Sequence, residues 1–174
     1  MPAVVLLLVA CGSPANSSAS PSVSAVPAQG GDCVTKDQAT QIWHAIDMSL
    51  NAIEADPKHA GASAVTTGTA LQMLQRYVSQ MLEANGWTEH EVDRLDSLAV
   101  LSAGCGNATL QLRVSVTVVQ DDYLRSNGTV DHHDPEVGMT MHFVDSYERS
   151  AGAWKESDFQ DLDQPSPSAT PELL

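Results

Sequence analysis

The chain has few basic residues, few cysteines and no long apolar run. Its 174 residues include 8 Lys and Arg against 22 Asp and Glu, a formal net charge of −14. Nucleic acid is excluded as a partner, because phosphate contacts need clusters of Lys and Arg. The charge also argues against a domain lying flat on anionic lipid. No stretch reaches the roughly 20 apolar residues that a membrane-spanning helix needs.

Motifs of common catalytic sites are also missing from the sequence. There is no Gly-rich phosphate loop and no Gly-x-Ser-x-Gly elbow, so no cofactor is expected. The run from Asp131 to Glu136 contains Asp, His, His, Asp and Glu, which are metal-ligand types. Adjacent histidines in a strand point to opposite faces, and zinc needs three or four converging ligands. We therefore expect a polar hairpin loop here and no metal site.

The N-terminus has the pattern of an export signal. Residues 1–10 are almost entirely apolar and end at Cys11, and a run this short has the length of a signal-peptide core. The segment Leu8–Cys11 resembles a bacterial lipobox, which implies cleavage before Cys11 and a diacylglycerol on its sulfur. The resemblance implies an extracytoplasmic protein anchored to the outer face of the cell membrane. The alternative is a buried strand with a chance cysteine.

Four segments follow from this pattern. Residues 1–10 form the signal peptide, and since no Lys or Arg precedes its apolar run, we expect the natural start upstream of Met1. Residues 11–31 form the lipidated Cys and a Ser/Ala/Pro tether, whose composition is typical of disorder. Residues 32–163 form one domain, and residues 164–174 a Pro/Ser-rich tail. Lipidation of Cys11 leaves Cys33 and Cys105, which outside the cytoplasm are expected to form a disulfide.

Two helices open the domain. Thr35 and Gln38 predict a capping box at the start of the first helix, and Asp56-Pro57 predicts its end. Apolar residues recur at helical spacing between these points: Ala39, Ile42, Trp43, Ile46, Leu50 and Ile53. A second helix is expected from about Thr67 to Asn85, just before Gly86. Residues 59–66 are expected to add a helical turn.

Strands follow Trp87, where the apolar period changes to two. Leu95 to Ala103 and Leu110 to Val118 are predicted strands, and the second alternates apolar and polar residues. A third strand is expected with Val137, Met139, Met141 and Phe143 on one face, and a fourth from Trp154 to Phe159. Helices followed by strands predict an α+β fold, with about four antiparallel strands packed on the N-terminal helices.

The closing segment from Tyr147 to Phe159, with Gly152-x-Trp154-Lys155-x-x-Asp158, resembles the nuclear transport factor 2-like superfamily. Residues 67–71, residues 121–123 and Asn127-Gly128 resemble uncharacterised actinobacterial lipoproteins with such a domain, of the SnoaL/ketosteroid-isomerase-like kind. The resemblance implies a cystatin-like cone, in which a curved sheet wraps around helices and a pocket lies at the open end. The superfamily contains isomerases, dehydratases and non-catalytic modules, so the fold alone does not give the function.

The candidate pocket residues are polar and aromatic side chains. Isomerases of the superfamily use a pocket Asp base and a Tyr donor in an apolar site. The candidates here are Tyr77, Asp96, Tyr123, His142 and Trp154, with His142 facing away from the Met139/Phe143 side. None matches the isomerase pattern by position, so no catalytic residue is assigned. The pair Asp121-Asp122 is expected to be solvated at a strand end.

Three functions remain open. The sequence favours a non-catalytic module that binds an envelope protein partner or a small apolar ligand. The second hypothesis is a pocket enzyme of the isomerase or dehydratase type, which an acid, a Tyr and an apolar wall in one cavity would favour. The third is a structural envelope protein acting as a homodimer. The membrane is in each case reached through the N-terminal lipid.

Overall fold

The computed structural model describes residues 34–59, 61–104 and 109–163. Cys11, Cys33 and Cys105 lie outside these ranges, as do the signal peptide, the tether and the tail. The lipid anchor and the disulfide therefore stay predictions. Within the described ranges, no helix is both long enough and apolar enough to cross a membrane.

The first helix, α1, runs from Lys36–Ala55, as the sequence predicted. Its capping box is present: Thr35 Oγ1 accepts a hydrogen bond from the Gln38 backbone N–H at 3.3 Å, and Gln38 Oε1 accepts one from the Thr35 N–H at 2.9 Å. The helix ends before Pro57, which disfavours helical backbone in the residue it follows. Its buried face holds five of the apolar residues that the periodicity selected: Ala39, Ile42, Trp43, Ile46 and Ile53.

The second predicted helix is present but changes its winding. It begins as α3, Gly68–Tyr77, and continues as a π-helical segment, Val78–Glu83. The expected turn between the long helices consists of a 3₁₀ turn, Pro57–His59, and a short helix α2, Ala62–Val65. A π segment holds an extra residue per turn, and such segments often lie at functional sites.

Five antiparallel strands form one sheet. They are β1 Trp87–Ala103, β2 Thr109–Arg125, β3 Val130–His133, β4 Thr140–Ser150 and β5 Ala153–Asp161. The strand order is β1-β2-β4-β5, and β3 pairs with the far end of β2. The fold is therefore α+β, with N-terminal helices on a curved antiparallel sheet, consistent with a nuclear transport factor 2-like cone. The predicted count of about four strands becomes five because β3 is added.

Several strand boundaries differ from the prediction, and β2 continues beyond Val118 to Arg125. β1 begins at Trp87 instead of Leu95, and the stretch predicted as a polar loop contains the strand β3. The third predicted strand begins too early, because Val137 and Met139 are 41% and 52% exposed in the turn that precedes β4. The closing hairpin is confirmed, and its turn residues Ala151 and Gly152 both have positive φ, as a tight two-residue hairpin requires.

The core lies between the helices and the inner face of the sheet, where α1 packs on β1 and α3 packs on β5. Alternate residues of β2 point inward and are at most 4% exposed: Leu110, Leu112, Val114, Val116 and Val118. Three register shifts along β1 mark bulges in its pairing with β2. Bulges bend a strand and increase its twist, so they curve the sheet around the helices.

The segment before α3 joins the edge of the sheet at β5. Thr66 forms a parallel bridge with Glu156, and the Thr67 N–H donates to the Glu156 carbonyl at 2.7 Å. Gly68 follows with a φ of +54°, and a Cβ at this position meets the Ser157 carbonyl oxygen at 2.8 Å. A side chain here would therefore add a steric overlap to a strained backbone.

We expect Gly68→Ala to lower the free energy of unfolding by more than the roughly 1–2 kcal/mol that a left-handed backbone costs an L-residue. Gly128→Ala is the matched control, because Gly128 has a φ of +78° and open space around its Cβ position. Urea denaturation of both variants measures the difference. Equal losses for the two variants would show that the contact with Ser157 has no role.

Candidate binding site: an acidic cavity inside the cone

A cavity of about 410 Å³ lies between the helices and the inner face of the sheet. Met73 lies in its wall and is 38% exposed, so the cavity reaches solvent. The apolar part of the wall comes from both helices and three strands: Trp43, Leu50, Ala70, Met73, Leu74, Tyr77, Val116, Phe143 and Phe159. The polar part consists of six carboxyl side chains: Asp47, Glu54, Glu91, Asp93, Asp145 and Glu156.

Helix α1 supplies two of these carboxyls through its helical period. Trp43, Asp47, Leu50 and Glu54 are spaced by four, three and four residues, and all four line the cavity. Residues at this spacing share one face of a helix. The face beside the buried core therefore alternates apolar and acidic side chains along the cavity.

Strand β1 supplies an acidic inner face. Glu89, Glu91 and Asp93 alternate along the strand with period two and so point to the same side. The register places Glu89 opposite Tyr123 and Glu91 opposite Asp121. Glu89 is 5% exposed and Asp121 is 7% exposed. Two more carboxyls thus lie immediately behind the cavity wall.

Burial changes the acidity of the β1 carboxyls. Desolvation, followed by repulsion from Asp93 and Glu89, raises the pKa of Glu91 to about 8. Desolvation, followed by repulsion from Asp47, raises the pKa of Asp93 to about 6. Both groups therefore titrate well above the ordinary range of a carboxyl group.

The opposite wall has the same character. Asp145 on β4 is 6% exposed, and burial raises its pKa to about 6 although Tyr147 donates a hydrogen bond to it at 3.2 Å. Burial, followed by repulsion from Asp145 and Asp158, raises the pKa of Glu156 on β5 to about 8. The cavity thus has perturbed carboxyls on facing walls.

Three buried carboxylate oxygens have no hydrogen-bond partner among the described residues. They are Glu54 Oε2, Asp93 Oδ1 and Asp121 Oδ1. Burial raises the pKa of Glu54 well above its ordinary value, with repulsion from Glu89 and Glu91 adding to the effect. Buried polar atoms in proteins nearly always have a partner, so these oxygens indicate a partner outside the described residues, and two of them belong to the cavity wall, on Glu54 and Asp93.

A tyrosine pair closes one end of the cavity. The Tyr77 hydroxyl donates a hydrogen bond to Glu89 and lies 2.8 Å from the Tyr123 hydroxyl. Burial and these bonds hold the pKa of Tyr77 above its ordinary value, so its proton stays in place. The His132 ring stacks on Tyr123 at a centroid distance of 4.5 Å, and Trp87 packs edge-on against both rings.

Positive charge lies elsewhere. None of the described residues that line the cavity is Lys, Arg or His. Arg94 pairs with Asp96 at 2.9 Å on the outer face of the sheet, and hydrogen bonds from Thr117 and Arg94 lower the pKa of Asp96. On the outer face, Asp96 is paired with an arginine and its pKa is lowered. In the cavity wall, the carboxyls have no basic lining residue beside them and their pKa values are raised.

The sequence-predicted candidates lie in three places. Tyr77 lines the cavity, and Tyr123 lies behind it as the partner of Tyr77. Trp154 is 8% exposed and lies in the apolar core rather than in the cavity wall. Asp96 is on the outer face, and His142 is also exposed, where it bonds Asp163 at 3.1 Å. As predicted, His142 points away from Phe143, which lines the cavity.

The His-rich segment pairs with the end of β2. Tyr123 and Asp122 on β2 face His132 and His133 on β3, and the two histidines turn to opposite sides of the sheet. Among the residues that the structure describes, no group of three or more metal-ligand side chains is placed to hold an ion. The expectation that the pair Asp121-Asp122 is solvated is wrong for Asp121, which lies within β2 and is 7% exposed.

Sequence reasoning missed the six wall carboxyls. Their signal was present in the acids at positions 89, 91 and 93 with strand period, and in the acids at positions 47 and 54 within an apolar helical stripe. These patterns place polar groups where a core would place apolar ones. Acidic residues at positions that face the interior indicate a cavity instead of a filled core.

Comparison with known proteins finds structural neighbours of low sequence identity. No protein-family model and no curated protein sequence matches the chain. Aln2 from a Streptomyces species is 11% identical with a TM-score of 0.49, over 75% of this chain and 93% of that one. The intermembrane space region of the chloroplast protein ARC6 is 16% identical with a TM-score of 0.43, covering 67% and 91%. A protein from Catenulispora acidiphila is 12% identical with a TM-score of 0.40, covering 71% and 92%.

The wall carboxyls predict an unusual dependence of stability on pH. Since their pKa values are raised in the folded state, the folded protein keeps protons that the unfolded chain releases above about pH 4. Stability therefore falls as the pH rises from about 5 to about 8. We expect the Tm to drop by at least about 4 °C, the shift that corresponds to about 1 kcal/mol in a domain of this size.

Differential scanning calorimetry at several pH values measures this drop. The double variant Glu91→Gln, Glu156→Gln removes two of the perturbed groups, so its Tm should fall less over the same range. Asp96→Asn is the matched surface control and should keep the full drop. A Tm that rises with pH would contradict the protonated state of the wall.

Proposed function

We propose that this protein is a non-catalytic small-molecule-binding module, held at the outer face of the cell membrane by a lipid on Cys11. The observation that supports binding is the open cavity of about 410 Å³ at the centre of the domain. Small-molecule sites in proteins have volumes of roughly 300–1,000 Å³ and combine an apolar wall with a few polar groups. The cavity fits both criteria.

The composition of the wall supports a ligand rather than a packing defect. Interiors are packed nearly as densely as organic crystals, and empty space removes dispersion contacts from the side chains around it. Here the aromatic rings of Trp43, Phe143 and Phe159 face that space together with buried carboxyls. A ligand would restore the missing contacts of both kinds.

Native mass spectrometry of the gently purified 174-residue chain tests the proposal. We expect an added mass of roughly a few hundred daltons, the size class that such a cavity holds. The added mass should disappear under denaturing conditions. Labelling with an alkyne fatty acid in cells that express the protein from the expected upstream start, with Cys11→Ser as the unlabelled control, tests the anchor separately.

Filling the cavity provides the matched variants. Leu50→Trp places an indole in the cavity wall and should abolish the added mass, whereas Val119→Trp changes a side chain that is 51% exposed. Val119→Trp should retain the ligand. An added mass that survives Leu50→Trp would place the ligand elsewhere and contradict binding in the cone. If the wild-type chain carries no added mass and also binds none of the naphthalene compounds described in the next subsection, protein–protein interaction is favoured instead.

A pocket enzyme is the second candidate, because one observation favours it. Tyr77, the acids Glu91 and Asp93 and an apolar wall lie in one cavity, which is the arrangement the isomerase hypothesis requires. Groups with a pKa near the working pH are suited to proton transfer. The mass of the ligand released after incubation in D₂O separates the candidates. A binding module releases the ligand unchanged, whereas an isomerase releases it with deuterium.

A further inference from the structure

The chemistry of the cavity wall indicates which ligands it prefers. We propose that the cavity binds an organic cation, a protonated amine on a compact apolar body. This inference rests on the proposed function, because it names the class of ligand that the cavity takes.

The first argument is charge. Six carboxyl side chains line the cavity, and none of the described residues that line it is Lys, Arg or His. An anionic ligand would face like charges on several walls. A cation is attracted by the ionised carboxylates and favours loss of the proton from the carboxyls that still hold one, and the attraction is stronger than in water because the surroundings are partly desolvated.

The second argument is the unpaired oxygens. Glu54 Oε2 and Asp93 Oδ1 are buried in the wall without a hydrogen-bond partner among the residues that the structure describes. The Glu54 residue keeps some exposure as a whole, but its carboxyl end is enclosed by protein. Both oxygens accept hydrogen bonds, and an ammonium group carries three donors and no acceptor. A neutral hydrocarbon in the same place would leave both oxygens unsatisfied, which is costly.

The third argument is the aromatic surface. Trp43, Tyr77, Phe143 and Phe159 line the same cavity as the carboxyls. Aromatic faces attract cations and also bury apolar area. The wall therefore matches both parts of an amphiphilic amine. A bare metal ion would use only the carboxyls, and within the described part of the chain these are spread around the wall instead of converging on one point.

Proton linkage gives the inference a pH signature. A bound cation favours the ionised wall, so binding releases protons and the affinity increases from about pH 5 to about pH 8. The titratable groups that line the site or lie behind its wall come from all the elements around it: Asp47 and Glu54 from α1, Tyr77 from α3, Glu89, Glu91 and Asp93 from β1, Asp121 and Tyr123 from β2, Asp145 and Tyr147 from β4, and Glu156 from β5. Desolvation raises the pKa of Asp47, and the exposed His44 beside it lowers that pKa to a smaller extent.

Isothermal titration calorimetry with the full chain and three probes tests the inference. The probes are 1-naphthylmethylamine, 1-naphthalenemethanol and 1-naphthoic acid, which share one bicyclic body and differ in charge. We expect the amine to bind with one-to-one stoichiometry and a Kd at least about tenfold below that of the alcohol, the ratio that one charge-assisted hydrogen bond provides. The acid should not bind, and methylamine should not compete with the bound amine.

Variants locate the effect. Asp93→Asn and Glu54→Gln should each weaken the amine at least about tenfold while leaving the alcohol unchanged. Asp96→Asn is the control on the same strand, since Asp96 lies on the outer face and contributes only to the general negative field. Two wall variants are used so that a folding defect in one leaves the other informative.

The outcomes distinguish a failure of the preference for a cation from a failure of small-molecule binding itself. Equal affinities for all three probes, or tighter binding of the alcohol, would overturn the preference for a cation while a small-molecule site remained. An amine affinity that Asp96→Asn lowers as much as Asp93→Asn would show a surface charge effect and overturn the site. If none of the probes binds and the purified chain carries no added mass, the small-molecule function itself fails.

Discussion

The packing of the helices on the inner face of the sheet, α1 on β1 and α3 on β5, is the contact on which the rest of the structure depends. Leu112 and Val114 are fully buried, and Ile46 of α1 is 2% exposed in the same core. Burial of apolar area at roughly 25 cal/mol per Å² is the main stabilising term in such a domain. Because the bulged strand β1 bends the sheet, this contact fills only part of the space under it, and the cavity is the part left over.

The cavity also sets a limit on stability. Carboxyls buried without a counter-charge are costly, and they reduce that cost by keeping their protons. The raised pKa values of Asp145 and Glu156, about 6 and about 8, are this response. Buried carboxyls therefore lower the stability of the protein without a ligand, and proteins accept such a loss of stability at functional sites.

The sequence predicted the elements that apolar burial controls. The capping box at Thr35, the apolar period of α1, the alternation in β2 and the closing hairpin are all present. The first half of β1 was missed because its inward residues, Glu89 to Asp93, are acidic, and period analysis assumes that the inner face is apolar. The candidate site was missed for the same reason, apart from Tyr77 and Tyr123. The winding of the Val78–Glu83 segment depends on tertiary packing, which no local pattern records.

The bridge between Thr66 and Glu156 has a consequence for the behaviour of the protein in solution. β5 is the last strand of the sheet, and such strands offer backbone groups to any other chain that approaches. Here the turn before α3 occupies part of that border, with Thr66 itself only 1% exposed. The close approach of Gly68 to Ser157 continues the cover along the same strand. The helical half of the chain thus covers part of this border, so a change that loosens this turn would expose backbone groups of β5 to other chains.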